Sequence, residues 1–143
     1  MQYFVLTGVI MAIGVHAHFT MRMRSESRVV GMLLPLAQQC ALWISLDTKR
    51  SRQVLQRTKL RQVWYTVYDQ NGYVFADTLE PCEAQPCPPT ETQEKLLQLA
   101  EQNLNRTHRS VLACPAHDNE PRMRVFASVK NEEGMIVVAQ TAF

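Results

Sequence analysis

The side chains in this chain that could do chemistry are four cysteines, two neighbouring arginines and a scatter of carboxylates and histidines. Cys82 and Cys87 bracket a short stretch, residues 80–89 (EPCEAQPCPP), that carries four prolines in ten residues. An even cysteine count behind an export-like segment points to disulfides in an oxidising compartment, and Cys82 with Cys87 is the pair expected to bridge. The competing reading is a metal site. Cys82-x4-Cys87 with Cys114-x2-His117 has a Cys3His composition and spacing that zinc accepts. That signal is weaker than a double Cys-x2-Cys, so no metal is assigned from it. Cys40 falls on a helical apolar stripe and reads as a small buried hydrophobe.

Arg122 and Arg124 alternate onto one face of an expected strand, the face that also carries Phe126 and Ser128. Two guanidinium groups side by side can grip a carboxylate bidentately. His108 and Arg109, at the start of the preceding strand, fall close by. The competing reading leaves both arginines in solvent at a strand end. Catalytic signatures are sparse: the chain has no Gly-rich phosphate loop, nucleophile elbow or HExxH. Turn chemistry accounts for Asp69 and a strand end for Asp77. Disulfide formation or packing accounts for Cys114 better than a thiol–imidazole pair with His117. Neither an enzyme nor a cofactor is expected.

These groups must be held by a small α+β scaffold. Its organising stretch is residues 62–78, QVWYTVYDQNGYVFADT, two β-branched and aromatic runs around Asp69-Gln70-Asn71-Gly72. Asn-Gly favours a tight hairpin turn because both residues tolerate positive φ. Strand alternation puts Val63, Tyr65 and Val67 on one face and Trp64, Thr66 and Tyr68 on the other. Upstream, residues 21–46 read as a long helix whose stripe of Val30, Leu33, Ala37, Cys40 or Ala41, and Ile44 packs either on its own sheet or on a second copy. Pro35 inside it is expected to kink the helix. Asp47-Thr48 caps a short second helix over 49–59. Downstream, Thr90 and Gln93 form a capping box for a helix from Glu91 to about Asn105, with Leu96, Leu97, Ala100 and Leu104 inward. Strands over 109–114, 122–130 and 135–142 complete the set, the last two joined by an Asn131-Glu132-Glu133-Gly134 turn. The expectation is a five-stranded antiparallel sheet with helices on it.

At 143 residues the chain has room for one compact domain plus one further element. Its net charge of +2 conceals an asymmetry. Residues 20–61 hold nine Lys/Arg against two acids, and residues 62–120 hold three against nine. Residues 3–19 (YFVLTGVIMAIGVHAHF) carry no formal charge. Length and apolarity point to a membrane anchor over 1–20, with a domain over 21–143; a signal peptide and a buried core helix are the other readings. Arg22, Arg24 and Arg28 follow the segment, and the positive-inside rule would put them in the cytoplasm; either the chain runs the other way or, as expected here, an upstream basic segment is missing and the chain is a fragment. The strands lack a basic and aromatic binding surface, so nucleic acid is not an expected partner.

The order of these elements resembles the extracytoplasmic sensor domains of bacterial signalling receptors, the PDC or Cache type, in which a PAS-like sheet rests on a membrane-proximal helix. The stretch "LLPLAQQCALWISLDTKRSRQVLQRTKLRQVWYTVYDQNGYVFAD" is most similar to the periplasmic region of BarA/GacS-type hybrid sensor histidine kinases. The likeness covers residues 22–143 in layout and 33–77 in residues, and the Cys-rich loop departs from it. It implies an inner-membrane protein with residues after about 20 in the periplasm. It further implies a small ligand, a carboxylate being the natural class, with Arg122, Arg124 and Tyr68 as the ligand candidates. The long helix would pair across a homodimer, through Val30, Leu33, Ala37 and Ile44 if its stripe is intermolecular, and the kinase parts would lie beyond Phe143. A pilin-like exported adhesion subunit is the runner-up.

Overall fold

The computed structural model describes residues 15–57, 62–84, 86–115 and 118–143, with side chains described from Arg28 onward and those of residues 56 and 57 left aside. Most of the expected anchor, residues 1–14, lies outside the described residues, as does His117. Among the described residues three helices, α1 (Val15–Leu46), α2 (Thr48–Arg57) and α3 (Glu91–Gln102), enclose a five-stranded sheet. The strands are β1 (Trp64–Tyr68), β2 (Val74–Asp77), β3 (Thr107–Cys114), β4 (Glu120–Lys130) and β5 (Ile136–Ala142). All neighbours are antiparallel and the order is β2-β1-β5-β4-β3. The fold is α+β, with the five-stranded antiparallel sheet that the pattern of runs and turns implies.

Both hairpins are built on one device. In the β1–β2 turn the Asp69 carboxylate Oδ1 accepts the backbone N–H of Asn71 at 2.8 Å and of Tyr73 at 3.0 Å, and Gly72 takes φ 83°. In the β4–β5 turn Asn131 Oδ1 accepts from Glu133 N–H at 3.0 Å and Met135 N–H at 2.9 Å, and Gly134 takes φ 81°. An Asx side chain at the first position and glycine at the fourth make a four-residue turn with one left-handed residue. Asn71 therefore keeps a negative φ, and the two-residue Asn-Gly turn suggested by the dipeptide is replaced by the longer Asx-anchored one.

The sheet is covered on both faces. On one face Leu33, Ala37, Cys40, Ala41 and Ile44 of α1 and Leu55 of α2 pack on Tyr65, Val67, Val125, Ala127, Val137 and Ala139. The inner stripe of α1 is thus intramolecular, which removes Leu33, Ala37 and Ile44 from a seam between copies. A side chain buried under its own sheet has no surface left for a partner. The helix runs continuously through Pro35, which faces outward. Its end is tied to α2: the Thr48 hydroxyl donates to the Ile44 carbonyl at 3.0 Å, the Ser51 hydroxyl donates to the Trp43 carbonyl at 3.2 Å, and Asp47 Oδ1 caps Arg50 N–H at 3.1 Å. These bonds satisfy carbonyls and an amide that helix ends otherwise leave orphaned.

On the opposite face α3 sits over Tyr68, Phe126, Ile136 and Val138 with Leu96 and Ala100 inward. Its capping box is present, with Thr90 Oγ1 accepting from Gln93 N–H and Gln93 Oε1 accepting from Thr90 N–H. The Ser128 hydroxyl reaches across to donate to the Ala100 carbonyl at 2.9 Å. Between the end of β2 and α3 lies the Cys82–Cys87 disulfide. One stretch among the described residues, Arg28–Leu46 of α1, is long and apolar enough to cross a membrane, although its inner stripe is packed on the sheet.

Candidate functional site

Strand alternation brings a row of polar side chains onto the α3 face, at the end of the sheet where β1 and β4 begin and β2 and β5 finish. The pairing is set by register: Thr66 lies opposite Asp77, Gln140 opposite Phe126 and Arg124 opposite Ala142. Arg124 Nη1 donates to Gln140 Oε1 at 3.0 Å, and Gln140 Nε2 donates to Thr66 Oγ1 at 2.7 Å. The Thr66 hydroxyl donates to Asp77 Oδ2 at 3.1 Å, and Gln93 Nε2 of α3 donates to the same oxygen at 2.9 Å. A buried relay of hydrogen bonds thus crosses four strands and ends on a helix.

Its two ends differ in electrical character. Asp77 is fully engaged, since Oδ1 also accepts from Leu79 N–H at 2.8 Å and Glu80 N–H at 3.0 Å. Burial nonetheless dominates and holds its carboxyl above the ordinary carboxylate range, those four hydrogen bonds pulling the other way. Glu80, on the loop above, is raised by burial and by Asp77, and lowered by Arg124. Arg124 is only 4% exposed, yet no carboxylate among the described residues lies within ion-pair distance of it. Its hydrogen-bond partners are the neutral Gln140 side chain and, through Nη2, the Ala113 carbonyl. Its Nε–H is buried and unpartnered among the described residues.

Arg122 stands two residues back on the same face of β4. Its Nη2 lies 3.5 Å from Glu120 Oε2, and its Nε–H is likewise buried without a partner. The arginine pair is therefore on one face, one member buried and the other reaching the surface at the end of the strand. Two unsatisfied guanidinium N–H groups on one face suit an anion.

Tyr68, the third ligand candidate, is fully buried beneath α3, and its hydroxyl donates to the Gln93 carbonyl at 2.6 Å. Burial first and Asp77 second push its phenol well above the ordinary range, so it remains a neutral donor whose proton is already committed. It holds α3 to the sheet. Asp77 reads from the sequence as a strand end and Gln93 as a capping-box residue, while Thr66 and Gln140 carry no signal as a site, because mid-strand Gln and Thr look like surface residues until register fixes their face.

The chain matches no protein-family model, no curated protein and no solved structure. The arrangement of its own residues carries the reading.

Cys82 and Cys87 are joined to each other, so they are not thiolate ligands. Cys114 is buried as a free thiol on the α3 face, and no group of His, Cys, Asp and Glu among the described residues is placed to hold a metal. The disulfide loop is tied down at several points. Cys87 pairs with Val74 at the edge of β2, with Val74 N–H donating to the Cys87 carbonyl at 2.8 Å. From the other face Arg52 of α2 reaches round the β2 edge, donating from Nε to the Phe75 carbonyl at 2.9 Å and from Nη2 to the Cys82 carbonyl at 3.2 Å.

Proposed function

We propose that the chain is the extracytoplasmic sensory module of a membrane receptor of the sensor-kinase type, and that it takes a small carboxylate at Arg122 and Arg124. The observation that carries this reading is that the buried Arg124 has no carboxylate within ion-pair distance among the described residues. A buried cation is costly unless it is paired, and neutral hydrogen bonds return only part of the hydration that burial removes. A carboxylate seated at the exposed part of Arg122 and turned toward Arg124 would supply a negative charge beside the two guanidinium groups. The Cys82–Cys87 disulfide supports an oxidising compartment, hence a periplasmic rather than a cytosolic face. The long helix on one face of an antiparallel sheet, with the polar row on the other, agrees with the layout that the resemblance implies.

Signalling would follow if the ligand binds one arrangement of loop and helices better than another. Arg52 is the strap that makes this mechanical, since it links the helical layer to the loop that carries Glu80 and the disulfide. The test is thermal unfolding of the 143-residue chain against a panel of mono- and dicarboxylates. A ligand that binds only the folded state raises the midpoint with concentration. At least one carboxylate should do so, and Arg122→Gln should abolish the shift without lowering the midpoint of the free protein, because Arg122 is half exposed. A flat response to every carboxylate, or a shift that survives Arg122→Gln, would remove the carboxylate site.

A further inference from the structure

The buried row on the α3 face has a direction. Arg124 carries only donors, so Gln140 turns its Oε1 toward the guanidinium and its Nε2 toward Thr66. The Thr66 hydroxyl accepts from Gln140 and gives its own proton to Asp77 Oδ2. Ionised Asp77 has only acceptors and closes the chain. All four side chains are buried, so each depends on the next for its partner.

A proton on Asp77 breaks that order, and the geometry limits where it can go. Oδ1 faces the Leu79 and Glu80 backbone N–H groups, which cannot turn away. At Oδ2, Gln93 Nε2 is fixed as a donor because Gln93 Oε1 is held by the Thr90 N–H in the capping box. The proton therefore points at Thr66. The relay then has a donor at both ends and one hydrogen too many. Either the Thr66 hydroxyl loses its acceptor, or Gln140 turns over and presents its amide N–H to Arg124. The first choice leaves a buried donor unmet. The second moves the defect to Arg124, whose neighbour Arg122 reaches the surface.

We propose that this relay is a proton-coupled switch: a proton taken up by Asp77 reverses the hydrogen bonds of Thr66 and Gln140 and frees Arg124 for an anion held at Arg122, so that acid strengthens anion binding. The anion half rests on the carboxylate site proposed above; the relay half does not. Burial favours the proton on Asp77 and its four hydrogen bonds oppose it, so the carboxyl is poised rather than locked. The titratable and charged groups around it, among the described residues, are Glu80 of the loop, Tyr68 of β1 and Arg124 of β4. Arg52 of α2 bonds the Phe75 and Cys82 carbonyls, while α3 and β5 present the neutral Gln93 and Gln140. Coulomb's law has the same sign as the relay, since an anion entering this cluster meets one negative charge fewer once Asp77 is protonated. The coupling is reciprocal: a bound anion draws the proton onto Asp77.

The test follows Asp77 by carboxyl carbon-13 resonance in the full chain, assigned with Asp77→Asn, alongside the nitrogen-15 resonances of Gln140 Nε2 and the Arg124 guanidinium. In the ligand-free chain those two should move with the Asp77 midpoint. In Thr66→Val, which keeps the shape and removes the hydroxyl, Asp77 should still titrate while they stay still; Thr66→Ser should restore the response. Lactate, ionised throughout the range used, should bind at least about fivefold more tightly with Asp77 protonated than ionised, and the difference should fall below about twofold in Thr66→Val. Still Gln140 and Arg124 resonances across the Asp77 titration would overturn the switch, as would a Thr66→Val chain that responds like the unmodified one. A relay that responds in a chain that binds no mono- or dicarboxylate would uphold the switch and remove the carboxylate site instead.

Discussion

Asp77 shows how a single carboxylate can be well bonded and still resist ionisation. Four donors converge on it, but burial outweighs them and its folded-state affinity for a proton exceeds that of the unfolded chain. The consequence for stability has a definite sign. A carboxyl whose pKa is raised on folding contributes stability that is full below its ordinary value of 3.8 and is lost as pH rises through the higher folded value. Glu80 is shifted in the same direction and adds to the trend. Urea unfolding from pH 4 upward should therefore show the native chain losing stability relative to Asp77→Asn. If the two curves stay parallel, the carboxylate is not perturbed. The amide can retain the Leu79 and Glu80 N–H bonds, so the variant is expected to fold. Arg124 resists such simple exchange, because its removal also strands Gln140 and the Ala113 carbonyl.

Among the elements, α1 has apolar residues on two sides, one row buried and the other, with Met32, Leu42, Trp43 and Leu46, exposed. Leu33, Ala37 and Ile44 are fully buried against β4 and β5, so their row is part of the core. Leu33→Glu is thus expected to destabilise the whole domain by about 3 kcal/mol or more, since it buries an unpaired charge and leaves a packing defect. Chemical denaturation monitored by circular dichroism measures that loss, and an unchanged midpoint would mean that the helix is not docked. Periodicity alone could not assign the two rows. A stripe of small and branched apolar residues fits a sheet and a second helix equally well, and the sheet claims whichever row the α1–α2 junction turns toward it. The junction is local and legible in Asp47-Thr48, but the direction in which it turns the helix is not.

At the scale of the whole molecule Arg52, among the described residues, joins the helical layer to the edge of β2 and the disulfide loop. Losing its two bonds should loosen residues 79–84 locally and leave the sheet intact. In Arg52→Ala, amide exchange in that loop should quicken at least about tenfold, while β4 and β5 exchange as before. Uniform protection across the loop in both proteins would show that the Cys82–Cys87 bridge and the Val74–Cys87 pairing suffice without Arg52.

Much of the scaffold is readable in the residues themselves, because it rests on short-range chemistry. The Asx–Gly turns, the Thr90–Gln93 capping box, the proline-rich loop with its bridged cysteines and the alternation of Tyr65 and Val67 against Thr66 and Tyr68 all depend on neighbours a few positions away. The arginine pair at 122 and 124 is legible for the same reason, since period-two geometry places both on one face. Its environment is not. Whether Arg124 meets solvent, Asp77 or a neutral amide depends on the register of β4 against β5 and β1 and on α3 closing over the row, which joins residues up to 74 positions apart. Long-range pairing likewise decides that Tyr68 pins a helix and that Leu33 faces inward while Leu42 does not. No local rule contains that choice; it is made by how two layers share one sheet.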